Sequence, residues 1–213
     1  MTHFDLEHIA GTLLQAHEDQ RRVLVAIAGP PASGKSTLSK ALNTHLNAVV
    51  NVHSVVVPMD GFHLDNEQLK DLGLLHRKGA PETFDFDGFA HLLDRLRMSD
   101  QPIYYPTFDR ALDKAIAGQG VVQSHDQVIL IEGNYLLLDE EPWSQISPLF
   151  DHSIFLNTPM DVLKSRLIQR WRAHDHSADD AEKRALSNDI PNAKRVCAGS
   201  VNADQSIDPV CDF

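Results

Sequence analysis

Apolar runs and helical apolar stripes alternate along this chain. The run VLVAIA at 23–28 is rich in β-branched residues and predicts a buried strand. After a glycine-rich turn, the segment 37–46 has apolar residues at helical spacing and predicts a helix. Strands that alternate with helices indicate a doubly wound parallel sheet with helices on both faces. Four further strands are predicted at 48–60, 128–138, 153–159 and 206–211.

The other patterns predict helices and one irregular region. The segment 87–98 is predicted to be helical, with Asp87 as its N-cap and an apolar face. The region 102–125 contains YYPTFDR and a glycine-flanked turn, which predict loop and short strand pieces. Further helices are predicted at 4–20, 65–72, 141–150 and 160–174.

These elements fit a single α/β domain over residues 1–213. A chain of 213 residues with 42% hydrophobic content is large enough for one domain with a sizeable core. We expect three layers, α/β/α, around a mainly parallel five-stranded sheet. The amphipathic N-terminal helix within 1–20 is expected to pack beside that sheet.

Charge and composition narrow the class of partner. The net charge of −11, from 30 acidic and 19 basic residues, disfavours nucleic acid and anionic membranes as partners. Proteins that bind them need positive charge spread over a surface. A small anionic ligand stays open, because a few local cations suffice for it. No signal-peptide pattern or membrane-length apolar run is present, and Cys197 and Cys211 show neither metal-ligand spacing nor a disulfide framework. We expect a cytoplasmic protein with a small-molecule partner; a homodimer stays open, although no pattern indicates one.

The segment GPPASGKST at 29–37 carries the clearest chemistry. Its two glycines at 29 and 34 let consecutive backbone N–H groups point at phosphate oxygens, backed by the positive end of the following helix. Lys35 can then reach the β- and γ-phosphates, and the Ser36 hydroxyl can bind Mg²⁺. The alternative is a plain strand-to-helix turn. The residues expected to bind nucleotide here are Gly29, Ala32, Ser33, Gly34, Lys35, Ser36 and Thr37.

Asp60 is the candidate general base. It ends the predicted second strand, and ligands of open parallel sheets lie beyond the carboxyl ends of strands, so Asp60 should lie near the phosphates. Phosphoryl transfer to an alcohol needs a carboxylate that accepts the hydroxyl proton. The alternative role is a cap for the turn before Gly61.

Several other polar residues are candidates for the same site. Glu132, with Gly133, interrupts the strand predicted at 128–138, beside the phosphate-loop strand. It is expected to bind Mg²⁺, with a strand-end hydrogen-bond acceptor as the alternative. Arg110 is a candidate clamp for the substrate, and a surface ion pair is its alternative. Arg77 and Lys78 are similar candidates, with a flexible surface role of their loop as the alternative. His63, close to Asp60, is a candidate substrate contact, and an ordinary polar contact is its alternative.

The helix predicted at 160–174 presents Arg166 and Arg170 four residues apart, on one face. From that face they can cover the phosphates of ATP in the transition state. Arg172 points elsewhere. Exposed ion pairs with acidic residues are the alternative role for these arginines.

Taken together, these segments resemble the phosphoribulokinase, uridine kinase and bacterial pantothenate kinase group of P-loop small-molecule kinases. The sequence of these segments is most similar to the bacterial branch labelled fructose-transport-system or nucleoside/nucleotide kinases. The resemblance covers most of the chain from 22 to 197. It is carried by GPPASGKST at 29–37, MDGFH at 59–63, RKGAPETFDFDGF at 77–89, YYPTFDR at 104–110, EGNYLLLD at 132–139 and RLIQRWR at 166–172.

The resemblance implies a P-loop NTPase fold with an acceptor-side insertion at about 62–125 and a helical lid at about 166–195. It also implies that Asp60 is the catalytic base, that Glu132 lies at the magnesium site and that Arg170 belongs to the lid. The aromatic segment of the pantothenate pocket and the base-recognition pattern of uridine kinases have no clear counterpart here. This difference disfavours pantothenate and uridine as acceptors.

We therefore expect an ATP-dependent kinase that phosphorylates a hydroxyl of a sugar, a polyol or a nucleoside-like metabolite, with ATP and Mg²⁺ as cofactors. Lys35, Asp60 and Arg170 are the expected catalytic residues. The alternative is a regulatory module that holds ATP or GTP and acts on a protein partner; the acceptor-side loop at 76–110 argues against it. The residues expected to contact the acceptor are His63, Arg77, Lys78, Tyr105, Arg110 and Asn134.

Overall fold

The computed structural model describes residues 4–16, 22–173 and 177–208. Its strands are β1 (Val23–Ala28), β2 (Ser54–Pro58), β3 (Ile103–Asp109), β4 (Lys114–Val122), β5 (Val128–Gly133), β6 (His152–Leu156) and β7 (Gln205–Ile207). Its α-helices are α1 (Leu6–Ala16), α2 (Lys35–His45), α3 (Asn66–Asp71), α4 (Phe86–Met98), α5 (Met160–Arg172), α6 (Ala178–Arg184) and α7 (Ile190–Gly199). No helix within these ranges is long and apolar enough to span a membrane.

The main sheet has five parallel strands in the order β2-β5-β1-β6-β7. The central strand β1 is buried along its whole length. Its residues alternate between two apolar clusters: Leu24 packs with residues of α4 and α7, and Val25 packs with residues of α1 and α2. Helices therefore cover both faces of the sheet, and the predicted five-stranded α/β arrangement is confirmed.

Residues 103–122 form an antiparallel hairpin of β3 and β4, where the sequence predicted loop and short strand pieces. Most of β4 is exposed, so its sequence lacks the apolar alternation by which a strand is recognised. The hairpin rests against the helical turn Met59–Phe62 that follows β2. A Cβ atom on Gly61 would lie 2.0 Å from the carbonyl oxygen of Pro106, so the two backbones are in direct contact.

Three predicted strands have wrong boundaries. The strand expected at 153–159 is β6, which runs from His152 to Leu156. The strand expected at 128–138 ends at Gly133, because the leucines that follow are buried in turns beyond the sheet. The strand expected at 48–60 begins only at Ser54, because the helix after the phosphate loop continues as a π-turn through Val50. Of the strand expected at 206–211, residues 206 and 207 lie in β7, which ends at Ile207. Residues 209–211 lie outside the described residues.

Two helix predictions also need correction. The N-cap of α4 is Asp85, whose carboxylate accepts a hydrogen bond from the backbone N–H of Gly88 at 2.9 Å; Asp87 lies inside the first turn. The segment 141–150 forms two short 3-10 turns instead of a helix, and each turn includes or follows a proline. Proline lacks the N–H group that a continuous helix needs.

Candidate active site

A cleft of about 800 Å³ opens at the carboxyl ends of β1, β2 and β5. Its walls come from the phosphate loop, the turn after β2, the β3–β4 hairpin and the helices that follow β6. Sites at this edge of a parallel sheet are the usual ligand sites of α/β folds. Most of the side chains singled out in the sequence meet here.

The phosphate loop has the conformation that an anion site requires. Gly29 has φ of +143°, and a Cβ atom there would lie 3.0 Å from the carbonyl oxygen of Leu156. Gly34, with φ of +104°, immediately precedes α2, and Ala32 also has a positive φ of 64°. The first amides of α2 have no acceptor within the helix, so the loop and the helix start can together hold phosphate oxygens.

Lys35 is the first residue of α2 and is buried at the base of the cleft. Its Nζ donates a hydrogen bond to the carbonyl oxygen of Pro30 at 2.9 Å. Burial lowers the pKa of Lys35 to about 8, although the nearby carboxylates of Glu132 and Asp60 act in the opposite direction. A phosphate bound here would favour the charged form of this amine.

Ser36 and Glu132 are held together where a divalent cation would bind. The Ser36 hydroxyl lies 2.8 and 3.0 Å from the two carboxylate oxygens of Glu132. Burial raises the pKa of Glu132, and the hydrogen bond from Ser36 acts against that shift. Within the described residues no group of three His, Cys, Asp or Glu side chains could form a closed metal cage. One hydroxyl and one carboxylate nevertheless fit Mg²⁺, which keeps several waters and also binds substrate phosphates.

Asp60 lies in the turn after β2 and faces the cleft. Its Oδ2 accepts a hydrogen bond from Arg110 Nη2 at 2.9 Å, and both side chains are partly exposed. Arg110 directly follows β3, and Asp60 directly precedes Gly61, so the pair lies on the two segments that meet where Gly61 contacts Pro106. A carboxylate held in this way can accept a proton from a hydroxyl in the cleft.

His63 and Lys78 line the same wall as Arg110. The ring of His63 lies between the rings of Phe84 and Phe108, with centroids at 4.1 and 4.7 Å. Burial lowers the pKa of His63. Lys78 Nζ lies 2.9 Å from a carboxylate oxygen of Asp113 and 5.1 Å from the centre of the Phe108 ring.

The arginines of α5 approach the phosphate loop from the opposite side. Arg166 Nη1 donates to the carbonyl oxygens of Ala32 and Ser33, at 3.2 and 3.4 Å. Arg170 also lines the cleft, and burial lowers the pKa of its guanidinium. Arg172 is exposed and is not a lining residue, as its helical phase predicted.

Two residues that were expected to contact the acceptor lie elsewhere. Tyr105 is buried in the core, where its hydroxyl donates to the carbonyl oxygen of Val56 at 2.9 Å and burial raises its pKa to about 12. Arg77 is bound to Glu82 and does not line the cleft. Asn134 is a lining residue, as expected.

In the phosphate loop, Ala32, Gly34, Lys35, Ser36 and Thr37 line the cleft. Gly29 and Ser33 support it from behind. The Ser33 side chain is fully buried, and its carbonyl oxygen accepts the hydroxyl of Thr158.

The structure adds lining residues to which the sequence analysis assigned no role. Asn188 donates from Nδ2 to the carbonyl oxygen of Lys78 at 2.8 Å and so connects the two walls. Trp171 donates to Asp189 at 2.6 Å and lies under the guanidinium of Arg184, 4.5 Å from the ring centre. Only the tertiary fold brings these residues together. The others that sequence reasoning did not single out include Phe108, Asp113 and Asn192.

Comparison with known proteins places this cleft in context. A family model described as "Phosphoribulokinase / Uridine kinase family" matches residues 24–185. A crystal structure from Silicibacter sp. TM1040, described as a "putative fructose transport system kinase", has a TM-score of 0.92 and 45% identity, with 96% of this chain and 100% of that chain covered. Escherichia coli YggC is 34% identical over 204 residues, which are 95% of this chain and 84% of YggC. The Schizosaccharomyces pombe protein described as "Putative uridine kinase C227.14" is 33% identical over 193 residues, which are 87% of this chain and 82% of that protein.

Proposed function

We propose a reaction from the family to which this chain belongs, the phosphoribulokinase/uridine kinase family of small-molecule kinases. The chain moves the γ-phosphate of ATP to a hydroxyl of a sugar, a polyol or a nucleoside-like metabolite. The observation that carries the proposal is the position of Asp60. Its carboxylate faces the cleft within electrostatic range of the Lys35 ammonium group, which in turn lies near Glu132. This position would put a proton acceptor beside the phosphate site and so supports the proposal.

The nucleotide side of the cleft supplies positive charge and N–H donors. The amides of the loop and of the start of α2 would hold the phosphates, with Lys35 beneath them and Arg170 opposite. Ser36 and Glu132 are the residues that would hold Mg²⁺, which when bound supplies charge neutralisation for the phosphates. Arg166 supports the loop by binding the carbonyl oxygens of Ala32 and Ser33.

On the acceptor side, Asp60 takes the proton of the attacking hydroxyl. The hydroxyl oxygen forms a bond to the γ-phosphorus of ATP while the bond from that phosphorus to the β,γ-bridging oxygen breaks, and ADP leaves with the bridging oxygen. Lys35 and Arg170 stabilise the charge on the transferred group. Arg110 orients the Asp60 carboxylate through its 2.9 Å hydrogen bond.

The test is acceptor-dependent release of ADP from Mg·ATP across sugars, polyols and nucleosides, with wild type beside Asp60→Asn and Lys35→Ala. One class of acceptor should stimulate release by wild type. Asp60→Asn should lower that stimulated rate by about 100-fold to 10,000-fold, because the general base is lost while the phosphate site is intact. Its affinity for ADP should stay close to that of wild type, whereas Lys35→Ala should bind ADP more weakly.

Stimulated turnover that Asp60→Asn retains would contradict the role of Asp60. Saturable nucleotide binding by wild type, with no acceptor-dependent ADP release from any compound, would contradict the proposal and favour the regulatory alternative.

A further inference from the structure

The orientation of His63 determines which of its ring nitrogens carries the proton. Nδ1 lies 2.8 Å from the main-chain carbonyl oxygen of Asp60. A carbonyl oxygen only accepts hydrogen bonds, so Nδ1 is the donor and carries the hydrogen. The ring is held in place between Phe84 and Phe108. In the neutral ring Nε2 is therefore an acceptor with an available lone pair.

This acceptor belongs to the cleft wall. His63 lines the cleft, and no group in the described part of the chain donates a hydrogen bond to Nε2. Burial lowers the pKa of His63 and so favours the neutral ring, whose Nε2 accepts and does not donate when Nδ1 carries the hydrogen. A ligand that meets this nitrogen must supply a donor, such as a hydroxyl.

The charged side chains next to His63 form two ion pairs. Arg110 is bound to Asp60 at 2.9 Å, and Lys78 is bound to Asp113 at 2.9 Å. Lys78 Nζ also donates to the side-chain oxygen of Asn66 at 2.7 Å. A phosphate or carboxylate on the acceptor would compete with these carboxylates for their cations, whereas a neutral hydroxyl adds hydrogen bonds without breaking an ion pair.

We propose that Nε2 of His63 accepts a hydrogen bond from a second hydroxyl of the acceptor, so that the substrate is an uncharged polyhydroxylated molecule with one hydroxyl for Asp60 and another for His63. The inference rests on the proposed function and assigns the substrate class of the same site. It makes His63 a specificity-determining residue: the site rejects molecules that lack the second hydroxyl or that carry a phosphate in its place.

The first experiment observes His63 directly in the full-length protein. Long-range ¹H–¹⁵N spectra of protein with ¹⁵N-labelled histidine, assigned by comparison with His63→Asn, report which ring nitrogen is protonated. We expect the Nδ1–H tautomer at neutral pH. The Nε2–H tautomer or an imidazolium would overturn the inference, whatever the enzyme's activity.

The second experiment titrates the same sample, in the presence of Mg·ADP, with D-ribose, D-fructose, glycerol and uridine. Each is compared with its phosphorylated counterpart. We expect at least one neutral compound to shift the Nε2 signal and its phosphorylated counterpart to have a smaller effect. No shift with any neutral compound, or a stronger response to the phosphorylated forms, would overturn the inference. If neutral compounds shift the signal but none of them stimulates ADP release, the proposed function is contradicted, while the hydrogen bond to His63 stands.

A matched pair of variants separates the two nitrogens. His63→Asn keeps a donor near the Nδ1 position and loses the acceptor at Nε2, whereas His63→Gln can place an amide oxygen near Nε2. For the best neutral acceptor, His63→Asn should lower kcat/KM about tenfold, the effect of one hydrogen bond, and His63→Gln should lose less. With the monodeoxy analogue that lacks the paired hydroxyl, wild type and His63→Asn should become equal. An equal loss on both compounds would indicate a purely structural role and overturn the inference.

Discussion

At the scale of single residues, Lys35 is the group whose environment most changes its chemistry. Its pKa of about 8 in the folded protein is far below the ordinary lysine value of 10.5, because it is buried. Phosphate oxygens favour the charged form, so nucleotide binds the protonated lysine best. Below pH 8 the free protein already carries that proton, and above pH 8 it must take one up in order to bind.

We therefore expect the affinity for Mg·ADP to be nearly constant from pH 7 to pH 8 and to fall above it, by about tenfold for each pH unit. Calorimetric titrations between pH 7 and 9.5 measure this. A Lys35→Arg variant is the control, since arginine stays charged over the whole range and its affinity should show no decline near pH 8. If the affinity of Lys35→Arg for Mg·ADP fell in the same way, the fall would come from the titration of another group.

Gly61 is a second residue with a specific role, because its Cα hydrogen faces the backbone of the hairpin. A methyl group there would lie 2.0 Å from the carbonyl oxygen of Pro106. We expect Gly61→Ala to lower the free energy of unfolding by about 3 kcal/mol, as overpacking does where backbone must move. It should also lower activity, because Asp60 and Arg110 lie on the two segments forced apart.

Urea unfolding measures that loss, and Gly11→Ala is the matched control. Gly11 lies within α1 and has no atom within 4 Å of its would-be Cβ. The same substitution there should stabilise the protein by about 0.5–1 kcal/mol, because alanine is the better helix former. Equal effects at both positions would contradict the steric explanation.

The position of Lys35 and Ser36 in the cleft could be predicted because it depends on local sequence. Both follow a glycine-rich turn within one short segment, and both line the cleft, while their roles stay predictions. Tyr105 could not be assigned in this way, because only the pairing of β3 shows that its side chain points to the core. Asn188 is separated from Lys78 by 110 positions, and no local pattern indicates that contact.

At the scale of elements, Arg22 joins segments that the sheet itself does not connect. Its guanidinium donates to the carbonyl oxygens of Leu96 and Ser99 at the end of α4, at 2.8 and 3.1 Å. It also donates to those of Gln123 and Asp126, at 3.1 and 3.2 Å, in the turn between β4 and β5. One side chain thus fixes the helix end and the turn against the start of β1.

We expect Arg22→Lys to lower the free energy of unfolding by about 2 kcal/mol, because a single ammonium group cannot serve all four carbonyl oxygens. The site is distant, so Kd for Mg·ADP should not change. Arg172→Lys, at an exposed position of α5, is the control and should stay within about 0.5 kcal/mol of wild type. A weakened Kd in Arg22→Lys would show that α4 also supports the nucleotide site.

The elements of the main sheet were predictable because burial on both faces produces continuous apolar runs, as in β1 and the first part of β5. The hairpin was missed for the opposite reason. Strand β4 lies largely in solvent, and its pairing with β3 leaves no pattern in its sequence. The N-cap of α4 was misplaced by two residues because Asp85 and Asp87 are equally good caps, and only the bond to Gly88 distinguishes them.

At the scale of the whole molecule, a chain with a net charge of −11 lines one cleft with six lysine and arginine side chains against four carboxylates. This local excess of positive charge favours the binding of phosphates. We expect Mg·ATP at 100 times its Kd to raise the free energy of unfolding by about 2.7 kcal/mol, from mass action alone. Thermal unfolding with and without nucleotide measures this as an increase in Tm.

The control for that measurement is Lys35→Ala at the same nucleotide concentration, which should show a much smaller increase. An equal increase in both proteins would mean that nucleotide stabilises the chain at some other place.

Among the described strands, the β3–β4 hairpin pairs only with itself and lies outside the five-stranded sheet. The exposed residues at its tip can therefore change without altering the register of any other strand, whereas Tyr105 and Pro106 are fixed by their contacts with Val56 and Gly61. Phe108 and Arg110 lie near that tip and line the cleft. Substitutions there would alter part of the wall proposed to meet the acceptor and leave the phosphate loop unchanged, so relatives could differ in acceptor while they share one nucleotide site.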